Sequence, residues 1–326
     1  MMTKTKKLLK ILLGIFISGF FLYLTFSEVN LKAMLSSAED VDFFYIFISL
    51  ILVFLTLFIK SIRWASILNP ITHINQKDLF PISSIGIAAI TILPLRLGEI
   101  VRPYLLSKAK NISFSLALAS IVFERIVDSM MLVALLSLIL IFSSLPSLII
   151  TTGKVLFFSV SSIFLILIFI YKYQKKAKSM MQKLLIYLPK KMKITFENIF
   201  DKFFEGLTIL SNPVEIIKFT ILSLILWFIY GLIVFYMFSF HNFALPFVAA
   251  FSVVLITFLA SSLPAAPGFL GTFQYGCFLA LTSYGVKSDD AAFFSITYYF
   301  VMIGMNILVG LFFFLRSPVK LFNVNQ

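Results

Sequence analysis

Residues 93–128 read LPLRLGEIVRPYLLSKAKNISFSLALASIVFERIVD. Three arginines (Arg96, Arg102, Arg125) and three acids (Glu99, Glu124, Asp128) stand in this stretch, which lies in an otherwise apolar chain. Pro94 and Gly98 interrupt regular structure where the charges begin. An ionisable side chain at bilayer depth costs roughly 3 kcal/mol or more unless it is paired or faces a wet cavity. The six charges are therefore either one buried ion-pair cluster or a site for a charged ligand. After the break, residues 98–107 offer about ten helical positions before Lys108 and Lys110, which cover only about half of a hydrocarbon core of about 30 Å. That arm cannot cross. Together with the apolar residues 79–93 it predicts a hairpin that enters the membrane, breaks near the middle, and returns to the same side.

Composition fixes the class around this stretch. Of 326 residues, 60% are hydrophobic and 13% charged, and 40 are phenylalanine. The mean hydropathy is +1.04. These values lie far from a soluble average and describe an all-α, polytopic integral membrane helical bundle. Cys277 is the single cysteine and falls in an apolar run, so the sequence offers neither a disulfide framework nor metal-ligand spacing. His73 and His241 stand apart in predicted loops. No catalytic set, metal site or cofactor motif is read.

Working outward, residues 8–26 form a first span behind a basic N-terminus, with no small-residue cleavage site after the apolar core. Residues 43–59 form a second, closed by Lys60, Arg63 and Trp64, types that suit a membrane interface. Residues 112–142 make a long span containing Glu124, Arg125 and Asp128, and residues 155–171 another. A strongly basic loop follows, residues 172–213. Within it Phe196, Ile199, Phe200, Phe203, Phe204, Leu207 and Leu210 recur at helical spacing, as in an amphipathic helix lying at the interface or a small soluble insert. Then come a span at 214–240, a second interrupted pair at 244–263 and 273–284, and a last span at 291–315. The expected architecture is one membrane domain of about six full spans and two re-entrant hairpins, eight membrane segments in all. Two full spans in place of the second hairpin would leave the same charge distribution.

The positive charges orient the chain. Among 27 lysines and arginines, only Lys32, Lys154 and Lys287 fall in segments on one side, and Arg96, Arg102 and Arg125 lie within the membrane. The rest collect on the other side, which the positive-inside rule makes the cytoplasm. Both termini are then cytoplasmic, in the cytoplasmic membrane. The net charge of +13 is mostly a surface for anionic lipid, and no nucleic-acid partner is expected. The same topology exposes a repeat: span, hairpin and span recur as residues 43–142 and 214–315. Each hairpin is broken by Leu-Pro (Leu93-Pro94; Leu263-Pro264) followed by glycine (Gly98; Gly268 and Gly271). One enters from each side, an inverted repeat of the kind that places a transporter's site near the midplane.

Broken helices leave unpaired N–H groups and a partial positive charge at the break, which attract anions. Arginine can grip a phosphate through two parallel hydrogen bonds. Arg96, Gly98, Glu99, Arg102, Glu124, Arg125 and Asp128 are thus candidate substrate-binding residues, with Arg96 the arginine expected to stay free. The competing reading is a purely structural cluster in which three arginines neutralise three acids. At the second break Pro264, Gly268, Gly271 and Gln274 are further candidates, against a plain role in turning and close packing.

The pattern R-x-G-E-x-x-R-P-x-x-L, Arg96 to Leu106, followed by E-R-x-x-D, Glu124 to Asp128, resembles the flippase-like membrane family named for the transmembrane part of the lysylphosphatidylglycerol synthases. The later P-x-x-P-G-x-x-G-x-x-Q, Pro264 to Gln274, is similar to that family's second signature, where an acid often stands at the position of Gln274. The resemblance covers about residues 8–315, and the chain resembles stand-alone members that lack the synthase domain. It implies a protein that moves a phospholipid or other anionic, lipid-linked substrate across the membrane without an ATPase of its own. The alternative is a membrane enzyme, or a partner subunit, in phospholipid or polyprenyl-phosphate glycan biosynthesis. Expected partners are membrane lipids, with a separate synthase or glycosyltransferase or a second copy as further candidates.

Overall fold

The computed structural model describes residues 4–36, 41–93, 98–110, 112–142, 172–185, 212–263 and 265–316, with a few isolated residues between 143 and 211. Among the described residues all regular structure is helical. In chain order these are α1 (Lys4–Phe26), α2 (Leu31–Ser36), α3 (Phe43–Leu68), α4 (Gln76–Ile92), α5 (Gly98–Lys110), α6 (Phe114–Phe142), α7 (Gln174–Leu185), α8 (Pro213–Phe240), α9 (Phe247–Ser261), α10 (Thr272–Ser283), α11 (Ser288–Tyr299) and α12 (Met305–Arg316). A π turn, Phe300–Gly304, joins α11 to α12, so that Ser288–Arg316 is one long helix. The expected span at 155–171 and the amphipathic helix within 172–213 (residues 196–210) lie outside the described residues apart from isolated positions; α7 covers only the start of that basic loop.

The helix starts follow from side chains that replace missing backbone partners. Asp42 accepts from the Phe44 N–H, Asn75 from Lys77, and Asn212 from Val214 and Glu215, with Pro213 in the first helical position. Among the described residues three helices are long and apolar enough to cross a bilayer: Phe43–Leu68, Pro213–Phe240 and Ser288–Arg316. Their outward faces are oily. On α3, Phe43, Phe47, Ile51, Phe54 and Phe58 are exposed, while Ser49, Thr56, Ser61 and Arg63 are buried. A helix more polar inside than outside has lipid as its solvent. The chain is a multi-pass membrane protein.

One boundary differs in a way that matters. The sequence reading ends the second span at 59 and sets Lys60, Arg63 and Trp64 at the interface. Helix α3 instead runs on to Leu68, and Arg63 and Trp64 are 1% and 0% exposed. Trp64, Ile67 and Leu68 are core residues, packed with Leu79, Leu105 and Ile121. Buried apolar partners on α4, α5 and α6 carry the helix two turns deeper than its charges suggest.

The first interrupted segment is an antiparallel pair. Its two far ends are tied by an ion pair between Lys110 Nζ and Asp78 Oδ2 at 2.5 Å. At the break, Gly98 lies directly on the backbone of Ala89 and Ile90, where any Cβ would collide. The second pair, α9 and α10, closes in the same way: Gly276 packs on Thr257 and Ala260, and the Ser252 and Tyr284 hydroxyls meet at 2.8 Å. Around these hairpins α3 packs along α8, α4 against α12, and α9 against α6.

Candidate functional site

The buried charges gather where α3, α5, α6 and α8 meet. Glu124, 1% exposed, is held by three guanidiniums. Arg102 donates from Nη1 and Nη2 to its two oxygens at 3.2 and 3.3 Å, a two-pronged grip on one carboxylate. Arg63 Nη2 and Arg125 Nη2 donate to Oε1 at 3.1 and 3.0 Å. Asp128, one turn along α6, accepts from Arg63 Nη1 at 2.5 Å and Nη2 at 3.2 Å, and Arg125 Nη1 stands 3.7 Å from Oδ2. Ser223 on α8 takes a further hydrogen bond from Arg63 Nη1 at 3.3 Å.

Aromatic rings and a glycine hold the two innermost arginines flat. The Arg102 guanidinium lies 4.4 Å from the Trp64 ring centre, and Trp64 in turn donates from Nε1 to the Ser120 hydroxyl at 2.9 Å. Arg63 lies 5.3 Å from the Phe219 ring. Gly86 on α4 leaves the room that the Arg102 methylenes occupy. Such cation–ring stacking is worth about 2 kcal/mol when desolvated.

The sequence balances Arg96, Arg102 and Arg125 against three acids. The structure changes the membership. Arg63 enters the cluster, so three described arginines face Glu124 and Asp128, with Glu99 near enough to Arg125 to act on it electrostatically, and these charges balance three against three. Arg96 lies outside the described residues. Arg63 escapes a sequence reading because a cation beside Trp64 after an apolar run has the pattern of a span's end; the one local hint is that it shares a helix face with Lys60, one turn earlier.

A cavity opens beside the cluster, with about 900 Å³ of empty space including its mouth. The first hairpin contributes Thr91, Glu99 and Arg102 to its wall, and the second contributes Thr257, Phe269 and Phe273. Lys60, Glu124, Arg125, Tyr230, Tyr298 and Asn306 complete it from the long helices. The two breaks therefore meet at one space: Gly268 of the second lies near the Thr91 carbonyl of the first. Arg125 is the most open of the cluster arginines, with its side chain 40% exposed.

The remaining candidates build rather than line the cavity. Gly98 closes the first hairpin. Gly268 and Gly271 take φ of 77° and 86°, a left-handed region that side chains other than glycine enter at a cost. Gly268 abuts the Tyr299 hydroxyl, and Gly271 abuts the Ser18 carbonyl of α1, whose hydroxyl accepts from the Ala266 N–H at 2.8 Å. Gln274 is buried, and its Oε1 accepts from the Gly271 N–H at 2.7 Å, capping α10. Pro264 lies outside the described residues. Among the described residues no group of three His, Cys, Asp or Glu could hold a metal ion.

The lysylphosphatidylglycerol synthase TM region, as a family model, matches residues 11–310. A comparison with curated proteins found no match.

Proposed function

The chain belongs to the family of the lysylphosphatidylglycerol synthase transmembrane region, and from that premise we propose that it passes the headgroup of a phospholipid, or of another anionic lipid-linked substrate, between leaflets without an ATPase of its own. The observation that carries this reading is the cavity where the two hairpin breaks meet, whose wall carries Lys60, Arg102 and Arg125 against Glu99 and Glu124. An anionic headgroup gains there what lipid tails cannot offer.

In this reading both hairpins are re-entrant. Their arms of 17, 13, 15 and 12 residues rise at about 1.5 Å per residue and stay short of a core of about 30 Å. The halves 43–142 and 214–315 are then an inverted repeat within eight membrane segments. The packing supports it in pairs: α3 and α8, the equivalent spans, face each other, and each hairpin leans on a long helix of the other half, α4 on α12 and α9 on α6. The cytoplasmic membrane, with both termini inside and the basic loop 172–213 on the inner leaflet, completes the proposal. A separate synthase or glycosyltransferase, or a second copy, is the protein partner it allows.

Purified protein in liposomes carrying headgroup-labelled lipids, challenged with a bilayer-impermeant quencher, tests the function. Exposure of inner-leaflet label that depends on protein is the expected result. A chemically altered lipid, with Glu99 as the acid–base group facing the cavity, would replace the translocator by the enzyme. Neither exposure nor alteration over a range of anionic lipids would remove both.

A further inference from the structure

We propose that Phe269 is a lateral gate of the cavity and that α1 is the latch that holds it closed. The gate controls access from the surrounding lipid, whatever the cavity carries.

Helix α1 is attached through its small and polar side. Leu12, Ile15, Phe16, Phe20 and Tyr23 are exposed on its outer face, while Gly14, Ser18 and Thr25 are buried. Among the helices it packs chiefly on α10, where the Phe21 and Tyr275 rings meet with centres 5.0 Å apart. Just before α10 it meets the second break. Gly14 abuts the Ala265 carbonyl, the Ser18 backbone abuts Gly271, and the Ser18 hydroxyl accepts from the Ala266 N–H at 2.8 Å. Lipid exerts no hydrophobic force that would hold such a helix, so close packing and hydrogen bonds carry the attachment. Here both fall chiefly on the break and on α10.

The break itself is strained. Phe269 stands between two left-handed glycines and has a φ of 58°. Glycine enters this region readily, and a bulky side chain does not. Phe269 therefore stays there only while its surroundings hold it, a condition typical of clamps and switches. Its N–H donates to the Ala266 carbonyl at 3.2 Å, and its carbonyl accepts from the Thr272 hydroxyl at 3.1 Å. Ala266 is in turn fixed by Ser18. A chain of bonds thus runs from α1 through Ala266 to an aromatic residue that lines the cavity. Residues 265, 266 and 271 touch α1, whereas 268 and 269 face the first break and the cavity, so one length of backbone parts the helix from the space. When α1 moves away, Ala266 loses its partner outside the loop. Phe269 can then return to negative φ, which carries its ring off the wall. The opening faces lipid, where α1 had been.

The test uses the full chain in phosphatidylcholine liposomes, with Cys277→Ser as background and Thr91→Cys as reporter in the cavity wall. Ser18→Cys and Ala266→Cys add a lock, since the 2.8 Å contact between these residues lies within disulfide reach. Two probes are compared, a maleimide on a long alkyl chain and a charged, membrane-impermeant one. Modification of residue 91 is read by peptide mass. Closing the lock should slow the alkyl maleimide roughly fivefold or more, because it removes the minor open state. Reduction should restore the rate, and the reporter without the lock should not respond to the oxidant. The charged reagent should react alike in both forms. Phe269→Gly keeps the left-handed backbone and loses the ring, so locked and reduced protein should then react equally fast. Ser18→Leu, without the lock, should wedge α1 outward and speed the alkyl reagent; melting temperatures establish that each variant is folded. A lock that does not form, or an alkyl rate that ignores it, overturns the latch. Lock dependence that persists in Phe269→Gly overturns Phe269 as the gate. A charged reagent that follows the alkyl one makes the opening aqueous and overturns its lateral course. Labelling needs no transport, so gate and translocator fail separately. Lipid transfer with lock-independent labelling removes the gate alone, and lock-dependent labelling with no transfer removes the translocator alone.

Discussion

Glu124 is the residue on which the polar interior turns, since Arg63, Arg102 and Arg125 all converge on it. Removing any partner from such a cluster leaves a buried charge under-neutralised, which costs more than the pair itself contributes. Arg63→Met should therefore lower stability by about 3–5 kcal/mol, because Glu124 and Asp128 both lose a donor, although the apolar volume is kept. Asp128→Asn in the same chain should recover part of it. A detergent melting curve for the two variants checks this, and an Arg63→Met protein that melts with the wild type removes Arg63 from the cluster. His241, just past the end of α8, makes a second residue-scale case. It is boxed by Phe240, Phe243, Phe293 and Phe294, hydrogen-bonded to the Thr297 hydroxyl at 2.8 Å, and burial pushes its pKa down to about 3. An unfolded chain protonates this imidazole near pH 6.5 and the folded one does not, so its contribution is complete above about 6.5 and is lost as pH falls toward 3. Between pH 7 and pH 5 the wild type should lose about 1–2 kcal/mol that a His241→Gln variant keeps. Parallel pH profiles for the two proteins would refute it.

At the scale of elements, the glycines show what a sequence can and cannot reveal. The first break was legible because Pro94 and Gly98 stop a helix on principle, and because a ten-residue arm is too short to cross. What Gly98 does there was not legible: it lets the start of α5 lie on the backbone of Ala89 and Ile90. A Cβ at that point meets backbone, not a movable side chain, so Gly98→Ala should splay the hairpin at a cost of about 1–3 kcal/mol. Gly86→Ala meets the Arg102 methylenes instead and should disturb the grip on Glu124 more than the hairpin. The two are told apart by cross-linking between cysteines placed at Leu79 and Leu106, a pair from the two arms: yield falls in Gly98→Ala and holds in Gly86→Ala. Helix α3 runs past its apparent end, to Leu68, for a related reason. Lys60 and Arg63 look like an interface when local sequence is all there is, and only partners from α6, some sixty residues later, show that the charge is buried. Gln274 teaches the converse, since a polar residue in a signature stretch serves as a helix cap.

For the whole molecule, pattern carried far: an oily chain, long apolar segments and two proline–glycine breaks suffice for a helical membrane protein. The meeting of both breaks at one cavity was less accessible, because it depends on which helices pack across the halves. The remaining question at this scale is topology, and the ion pair between Asp78 and Lys110 sharpens it. Those residues sit at the far ends of α4 and α5, so whatever side of the membrane holds one holds the other. The second hairpin has its own ends near Asn242 and Lys287, and the inverted repeat sets them on the opposite side. In a Cys277→Ser background, single cysteines at Lys77 and at Lys110 should both resist an impermeant thiol reagent in intact cells and both react once the membrane is opened. Cysteines at Asn242 and Lys287 should both react from outside. Substitution at Lys77, Lys110 and Lys287 costs little, because all three are exposed and a partly solvated pair such as Asp78–Lys110 contributes about 0–1 kcal/mol; Asn242 holds a φ of 56°, so a cysteine there costs about 1 kcal/mol. Labelling that separates Lys77 from Lys110 would make the first hairpin two crossings and empty the midplane of its break. Labelling of all four positions on one side would keep the hairpins and abolish the inversion, leaving a parallel repeat whose two breaks approach the cavity from the same face.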